Sequence, residues 1–401
     1  MIIFKTINTN LKKKALEKEV SIVRILITTD VYKTVTSGVT VSVKNLYDGL
    51  KKRGHNVRIL TVSEGLRSYV DGDVTYIRSA PLPIYRGIRM PLSFRHSLIK
   101  DLIRWKPNII HSQCEFFTYQ YALYISKRTG APILHTYHTM YEDYANYVLP
   151  GKKLGNFAVK KFVKYRLKDA KRIIAPSEKI EKKLKNYLLT SPISVIPTGI
   201  DLKSHRKRSC EHENKKMHHA KFNDGLFLLI YLGRLGHEKN IGEIIRCFAS
   251  ATKTMPEISL LIVGDGPQRE SLEKMAFDYG IDDRILFVGK VSPELVSEYY
   301  QSADLFVSAS TSETQGLTYI EACANGLPLL CRKDDALRGV IIEGENGYTY
   351  ENEEEFIFHL KEIIENPKWR EEASRKSRKI AQSYAKEDFA KAMEKIYKEN
   401  L

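Results

Sequence analysis

Ser308-Ala309-Ser310-Thr311-Ser312-Glu313-Thr314-Gln315-Gly316-Leu317-Thr318-Tyr319-Ile320-Glu321-Ala322-Cys323-Ala324-Asn325-Gly326-Leu327-Pro328 is the stretch whose reading decides the fold. Asp304-Leu305-Phe306-Val307 before it has the composition of a short buried strand, and Leu327-Pro328-Leu329-Leu330-Cys331 reads as the next. Between them a polar loop ends near Gly316, and a helix is predicted from about Thr318 to Ala324, closed by Asn325-Gly326. Glu313 thereby falls on a loop at the carboxyl end of a strand and Glu321 in the helix that follows. Ligands of open α/β sheets bind at that edge, and free amides at a helix start attract an anion such as a diphosphate. A carboxylate on each side of such an anion would accept hydrogen bonds from sugar hydroxyls. Spacing alone leaves two solvated surface glutamates equally open.

Working outward, the same strand–turn–helix grammar recurs. Val23-Arg24-Ile25-Leu26-Ile27 is a buried strand, and Val39, Val43, Leu46 and Leu50 space an amphipathic helix that ends at Gly54. Val57 to Val62 is a second strand. This βαβ opening predicts a doubly wound parallel sheet, with Ser37-Gly38 at the first strand-to-helix turn. Gly38 allows close backbone approach to a ligand, or simply starts the helix. Pro107 to His111 and Pro132 to Tyr137 are further strands with polar carboxyl ends, followed by Tyr137-His138-Thr139-Met140-Tyr141-Glu142-Asp143-Tyr144. A histidine at a strand end is more often structural than chemical.

A second set of strands begins at Leu226 to Leu232 and leads into Gly233-Arg234-Leu235-Gly236-His237-Glu238-Lys239-Asn240. Arg234 and Lys239, on a loop after a buried strand, can close on a diphosphate from two directions, the guanidinium as a fork and the ammonium as a point charge. Two solvated cations are the alternative. Ser259 to Val263 ends in the tight turn Gly264-Asp265-Gly266-Pro267, and Ile285 to Val291 is the next strand.

A chain of 401 residues, 43% hydrophobic, suggests two domains. No apolar run reaches the roughly 20 residues that span a bilayer, residues 1–20 have no signal-peptide core, and five scattered cysteines without a Cys-x-x-Cys pair suit a reducing cytoplasm. Charge is distributed unevenly. Residues 1–200 hold 35 Lys and Arg against 14 Asp and Glu, whereas residues 201–401 hold 29 against 34. So basic a first half implies a polyanionic surface, either nucleic acid or an anionic membrane face. Lys152 to Arg172 carries nine Lys and Arg and one acid. Leu154, Phe157, Phe162 and Val163 are read as an apolar stripe flanked mainly by Lys160, Lys161, Lys164 and Lys168, with Lys152 and Lys153 at its start, as in a helix lying in a membrane interface. An ordinary surface helix is the alternative; nucleic acid is not expected, because no recognisable RNA module accompanies the charge. Residues 203–223 read as a polar linker whose histidines have no metal-site spacing.

Glu313 and Glu321 enclose seven residues, and Ser-Glu-Thr-Gln-Gly-Leu-Thr-Tyr-Ile-Glu-Ala resembles the E-x7-E region of retaining GT-B glycosyltransferases of the GT4 type, in particular the bacterial 1,2-diacylglycerol 3-glucosyltransferases. Gly233-Arg234…Glu238-Lys239-Asn240, the Tyr-His-Thr frame of His138 and Pro197-Thr198-Gly199-Ile200-Asp201 are similar to the same family. The likeness runs from Val23 to about Tyr397. It implies a GT-B fold of two Rossmann-like domains facing across a cleft: a basic extension 1–20, an acceptor and membrane-binding domain 21–202, the linker 203–223, a nucleotide-sugar domain 224–385, and a helix 386–401 returning to the first domain. It also implies that Arg234 and Lys239 bind donor phosphates, that Glu313 and His138 hold the donor sugar, and that Glu321 holds the ribose. Gly38, Gly264, Asp265, Val291, Gly316 and Leu317 line the donor site on the same basis, with His111, Glu115 and Tyr141 on the acceptor side. The expected donor is UDP-glucose and the expected acceptor diacylglycerol, on the inner face of the cell membrane. Another GT4 acceptor (a phosphoinositide, a glycolipid or a soluble glycan) and a non-catalytic sugar-nucleotide-binding subunit are the competing readings. Without an Asp-x-Asp motif in the second half, since Asp71-Gly72-Asp73 lies far from it, no divalent metal or other cofactor is expected.

Overall fold

A computed structural model of the chain describes residues 22–32, 37–82, 89–141, 152–205 and 225–401. The basic stretch 1–20, most of the polar segment 203–223 and Glu142 to Tyr144 lie outside the described residues.

The first lobe is an eight-stranded sheet in the order β10-β9-β8-β7-β1-β2-β4-β3. Its strands are β1 (Arg24–Thr28), β2 (Asn56–Val62), β3 (Tyr69–Asp71), β4 (Val74–Ile77), β7 (Ile109–Ser112), β8 (Ile133–Thr136), β9 (Arg172–Ala175) and β10 (Ile193–Val195). All neighbours run parallel except β3 and β4, which turn back through Asp71-Gly72-Asp73. A separate hairpin pairs β5 (Ser79–Pro81) with β6 (Arg89–Pro91). Strands such as Arg24–Thr28 are unbroken apolar runs because helices cover both faces. Ile25 and Ile27 point to one layer, with α1 (Gly38–Lys52), while Leu26 and Ile110 point to the other, with α3 (Phe117–Thr129), α4 (Lys152–Leu167) and α5 (Glu178–Asn186). The short helix α2 (Ser97–Trp105) packs on α3 through Ile99 and Leu102.

The second lobe is a six-stranded, wholly parallel sheet in the order β13-β12-β11-β14-β15-β16. Its strands are β11 (Phe227–Leu232), β12 (Ile258–Val263), β13 (Ile285–Gly289), β14 (Leu305–Ser308), β15 (Leu329–Arg332) and β16 (Gly347–Tyr350). Covering helices are α6 (Ile241–Ala251), α7 (Arg269–Asp278) and α10 (Glu353–Glu365) on one face, and α8 (Val296–Ser302), α9 (Leu317–Ala324) and α11 (Pro367–Gln382) on the other. This is the GT-B arrangement of two doubly wound sheets. In it β11 sits between β12 and β14, so the loops after β11 and β14 diverge from neighbouring strands and open a crevice between them.

The lobes are joined by two adjacent passes of chain. Ile200 N–H donates to Tyr384 O (2.8 Å) and Lys386 N–H to Ile200 O (2.9 Å), so the outgoing and returning segments pair. Gly199 allows this, because a Cβ there would lie 2.7 Å from Lys386 Cα. The last helix, α12 (Lys386–Asn400), then lies on the first lobe. Phe389, Met393, Ile396 and Tyr397 pack among Val43, Leu46 and Leu50, and Gly49 leaves room for Ala390. Glu394, buried at this seam, is paired with Arg53 and with Lys398 (2.6 Å).

One predicted feature needs correction. Helix α4 does form, but its buried face is Gly155, Val159, Val163 and Leu167, spaced by four, with Phe162 half-buried against Phe116 and Tyr141. Phe157, at 65% exposure, lies on the opposite side. Leu154, Phe157, Phe162 and Val163 are therefore not one stripe, because 100° per residue places Phe157 more than 90° from both Phe162 and Val163. The outward surface is Phe157, Lys161, Lys164, Tyr165 and Lys168, with the Lys168 ammonium 4.8 Å from the Tyr165 ring centre. Lys160 is half-buried, and the side chains of Lys152, Lys153 and Leu154 are outside the description.

Candidate active site

Side chains of the loop after β14 reach the loop after β11 across the crevice. Lys239 Nζ donates to Glu313 Oε1 at 2.6 Å, and Ser312 Oγ donates to Glu238 O at 2.8 Å. Burial pushes the Glu313 carboxyl up, but the Lys239 charge and its hydrogen bond, with a further bond from Ser310, outweigh it and hold the group below the usual carboxylate range. Glu313 is thus an anion with a cation already at its side. Arg234 is half-exposed at the same mouth, 3.8 Å from Glu238.

Gly316 caps α9 with φ 77°, where a Cβ would meet the Tyr319 ring. Glu321 lies one turn into α9, and its carboxylate accepts from Tyr300 Oη at 3.3 Å. Burial pushes its carboxyl up to about 7, the Tyr300 bond opposing the shift. A carboxylate in that state binds hydroxyls better ionised than protonated, because charge-assisted bonds are stronger. Donor affinity should therefore rise with pH through about 7, by about 10-fold if one such bond is at stake. Donor KM against pH checks this, and the dependence should flatten in Glu321→Gln.

Beside these loops the backbone is compressed. Gly264 (φ 133°) donates its N–H to Gly289 O at 2.9 Å, and a Cβ on it would lie 1.8 Å from Gly233 O. Asp265 is exposed, its carboxylate accepting from Gly266 N–H (2.7 Å) rather than reaching outward. Val291 follows β13 and is half-buried against the second-lobe core.

From the first lobe, Gly38 opens α1 opposite α9, with the site of its absent Cβ 3.6 Å from Leu317 Cδ1. The two helix starts thus face each other across the cleft. The β14–α9 loop is tied to the first lobe by bonds that no local motif announces. Gln315 forms a two-way amide pair with Thr198 (2.8 and 2.9 Å). Ser177 donates to Thr314 O, and Lys179 donates to Thr311 O and to Asp334.

His138, just past β8, is half-buried, with Nε2 2.7 Å from Gln113 Oε1. Burial lowers its pKa to about 4, with Glu115 opposing, so the ring is neutral at pH 7. The two polar residues expected beside it on the acceptor side are placed otherwise. His111 is 0% exposed, bonded through Nδ1 to Tyr397 Oη (2.6 Å) and through Nε2 to Thr136 Oγ1 (2.7 Å). Glu115 is 2% exposed and has both oxygens occupied, by His135 Nε2 at 2.9 Å and by the Tyr141 hydroxyl. Both are interior supports, because polar groups at a buried strand end must find partners within the protein. Tyr141 is the half-buried member that reaches the surface of this group. Arg166, counted with the basic surface by its sequence position, points inward and donates to Glu115 O and Phe116 O at 2.6 Å each.

Comparison with known proteins bears on this cleft as a whole. The Glycosyltransferase Family 4 profile matches residues 36–204, and that of Glycosyl transferases group 1 matches residues 213–380. Alpha-monoglucosyldiacylglycerol synthase of Streptococcus pneumoniae is 33% identical over 378 residues, 93% of this chain and 85% of the relative. The enzyme of the same name from Acholeplasma laidlawii is 33% identical over 388 residues, covering 93% and 96%. The chain is a GT4-type glycosyltransferase. As such it is a hexosyltransferase enzyme, and the solved structures it resembles share its fold. Sucrose-phosphate synthase from Thermosynechococcus elongatus superposes with TM-score 0.74 at 21% identity, over 94% of this glycosyltransferase and 98% of the other chain. Anabaena HepE in complex with UDP-glucose superposes with TM-score 0.73 at 15% identity, over 94% and 100%.

Proposed function

We propose that this glycosyltransferase moves glucose from UDP-glucose to the hydroxyl of diacylglycerol at an anionic membrane surface, with retention of the anomeric configuration. The observation that carries the reading is the near full-length likeness to two alpha-monoglucosyldiacylglycerol synthases, together with a cleft whose second lobe presents Arg234, Lys239, Glu313 and Glu321 around two helix starts. Arg234 and Lys239 neutralise the diphosphate as it leaves, the main electrostatic task in cleaving a nucleotide–sugar bond. Glu313 and His138 hold sugar hydroxyls, and Glu321 holds the ribose. The C1–O bond to the diphosphate breaks as the C1–O bond to the acceptor forms on the same face, and the acceptor's proton passes to the departing phosphate oxygen. The two cations take the charge that a divalent ion would otherwise carry.

No described helix is long and apolar enough to cross a membrane. The proposed approach to the cytoplasmic face is through the outward side of α4, whose exposed Phe157 and Tyr165 would enter among Lys161, Lys164 and Lys168. Each basic contact with anionic lipid contributes on the order of 1 kcal/mol and fades with salt.

A donor-by-acceptor screen with mass-spectrometric product identification tests the assignment, using vesicles of anionic phospholipid containing diacylglycerol. Glucosyldiacylglycerol should be the product. Transfer to a soluble glycan, a phosphoinositide or a glycolipid but not to diacylglycerol would reject the acceptor, and transfer from another sugar nucleotide but not from UDP-glucose would reject the donor. Vesicle sedimentation should weaken as salt rises and in Phe157→Ser; indifference to both would remove α4 as the membrane contact.

A further inference from the structure

Gln113 follows β7 directly and is 1% exposed. Its single carboxamide lies between two histidine rings: Nε2 is 3.1 Å from His111 Nε2, and Oε1 is 2.7 Å from His138 Nε2. Beyond His111 the chain of bonds runs through Nδ1 to Tyr397 Oη on the last helix. An amide has one accepting and one donating end, and a neutral imidazole has one nitrogen of each kind. Two rings served by one amide must therefore take opposite roles. With the nitrogen end on His111, that ring accepts at Nε2, from Gln113 and from the Thr136 hydroxyl at 2.7 Å, and donates from Nδ1 to Tyr397. With the oxygen end on His138, that ring donates from Nε2, and its Nδ1 carries a free lone pair. Among the described residues, His138 Nδ1 has no hydrogen-bond partner.

We infer that Gln113 is a positioning residue that holds His138 as the neutral Nε2–H tautomer, leaving Nδ1 as an acceptor for a donor-sugar hydroxyl. The inference rests on the reading of His138 as a sugar ligand. The free end of the half-buried ring is then selective, because an acceptor enclosed by the bound donor rewards a group that can donate and is left unpaired by one that cannot. Burial of both rings keeps them uncharged, which agrees with this arrangement. The anchor is distant in the chain, since Tyr397 lies on the last helix, so the orientation of the ring depends on how α12 is seated.

The test is 15N NMR of the full-length enzyme labelled at its 11 histidines, the His138 signal being assigned by its loss in His138→Gln. A single Nε2–H form of His138 is expected in the wild type. Gln113→Met, of similar length but without the amide, should give a mixture of tautomers. It should also lower kcat/KM for UDP-glucose by about 10-fold, as for other partners that orient a functional histidine. An Nδ1–H form in the wild type, or Gln113→Met with unchanged tautomer or unchanged turnover, would overturn the inference. If Gln113→Met does not fold, the wild-type tautomer decides alone. If no donor supports transfer, the proposed reaction falls, and the tautomer measurement still decides the placement of the ring.

Discussion

Lys239→Ala and Glu313→Ala should each lower turnover by roughly 10²-fold, the scale set by removing one preorganised electrostatic group from a reacting centre. The two losses should differ in kind. Lys239 Nζ and Glu313 Oε1 stand 2.6 Å apart, and both side chains are largely enclosed. Removing Glu313 leaves an enclosed ammonium without its counter-charge, so the variant should hold UDP more tightly while transferring sugar poorly. Removing Lys239 deletes the charge proposed to meet the diphosphate and leaves an anion beside it, so UDP binding should weaken as turnover falls. Product inhibition by UDP separates the two cases. The double variant should fall far short of the product of the single losses, because the partners act as one unit. Near-normal turnover in either single variant would defeat the assignment of this pair to the reacting centre.

Gly264→Ala should be the most damaging small substitution in the second lobe. The residue sits at φ 133°, and the added methyl would lie 1.8 Å from Gly233 O. Backbone stands on the colliding side, so no side chain can swing away to relieve the contact. A cost of about 4 kcal/mol or more is expected, in the range where one named steric mechanism accounts for the whole effect. Thermal unfolding should shift by on the order of 10 °C, with loss of UDP binding at lower temperature. Gly344→Ala is the matched control. Its φ of 74° is also left-handed, but nothing lies within 4 Å of the added carbon, so only the local strain of about 1–2 kcal/mol remains. Equal effects at the two glycines would show that backbone sign, and not the approach to Gly233, governs the turn.

Much of the architecture was legible because parallel strands buried on both faces are written as unbroken apolar runs. Arg24–Thr28 and Ile258–Val263 announce themselves without help from partners. The loops that face the second-lobe crevice were legible too, since Gly233 and Gly316 each follow a buried apolar strand and precede a helical stretch. Contacts across long separations were not. His111 falls on the acceptor side by the family resemblance alone, whereas its strand-end position favours a structural role, and its partner Tyr397 lies 286 positions away. Nothing near Gln315 or Thr198 indicates that the two pair across the lobes. In α4 the cue was present but weaker than its rival: Gly155, Val159, Val163 and Leu167 keep a spacing of four, whereas the bulkier Phe157 draws attention to the opposite side. Small residues at a regular interval were the better guide to the buried face.

The seating of the last helix has a consequence for how the protein is made. Phe389, Met393, Ile396 and Tyr397 complete a hydrophobic layer whose other members, from Val23 to Ile196, are synthesised first. The early half of the polypeptide therefore leaves the ribosome with an open greasy groove along α1. It must wait for some two hundred further residues before that groove is filled, a condition that exposes nascent chains to aggregation. Premature termination between the end of α11 and the start of α12 would release a protein with its second lobe complete and its older lobe unfinished, a ready client for chaperones and proteases.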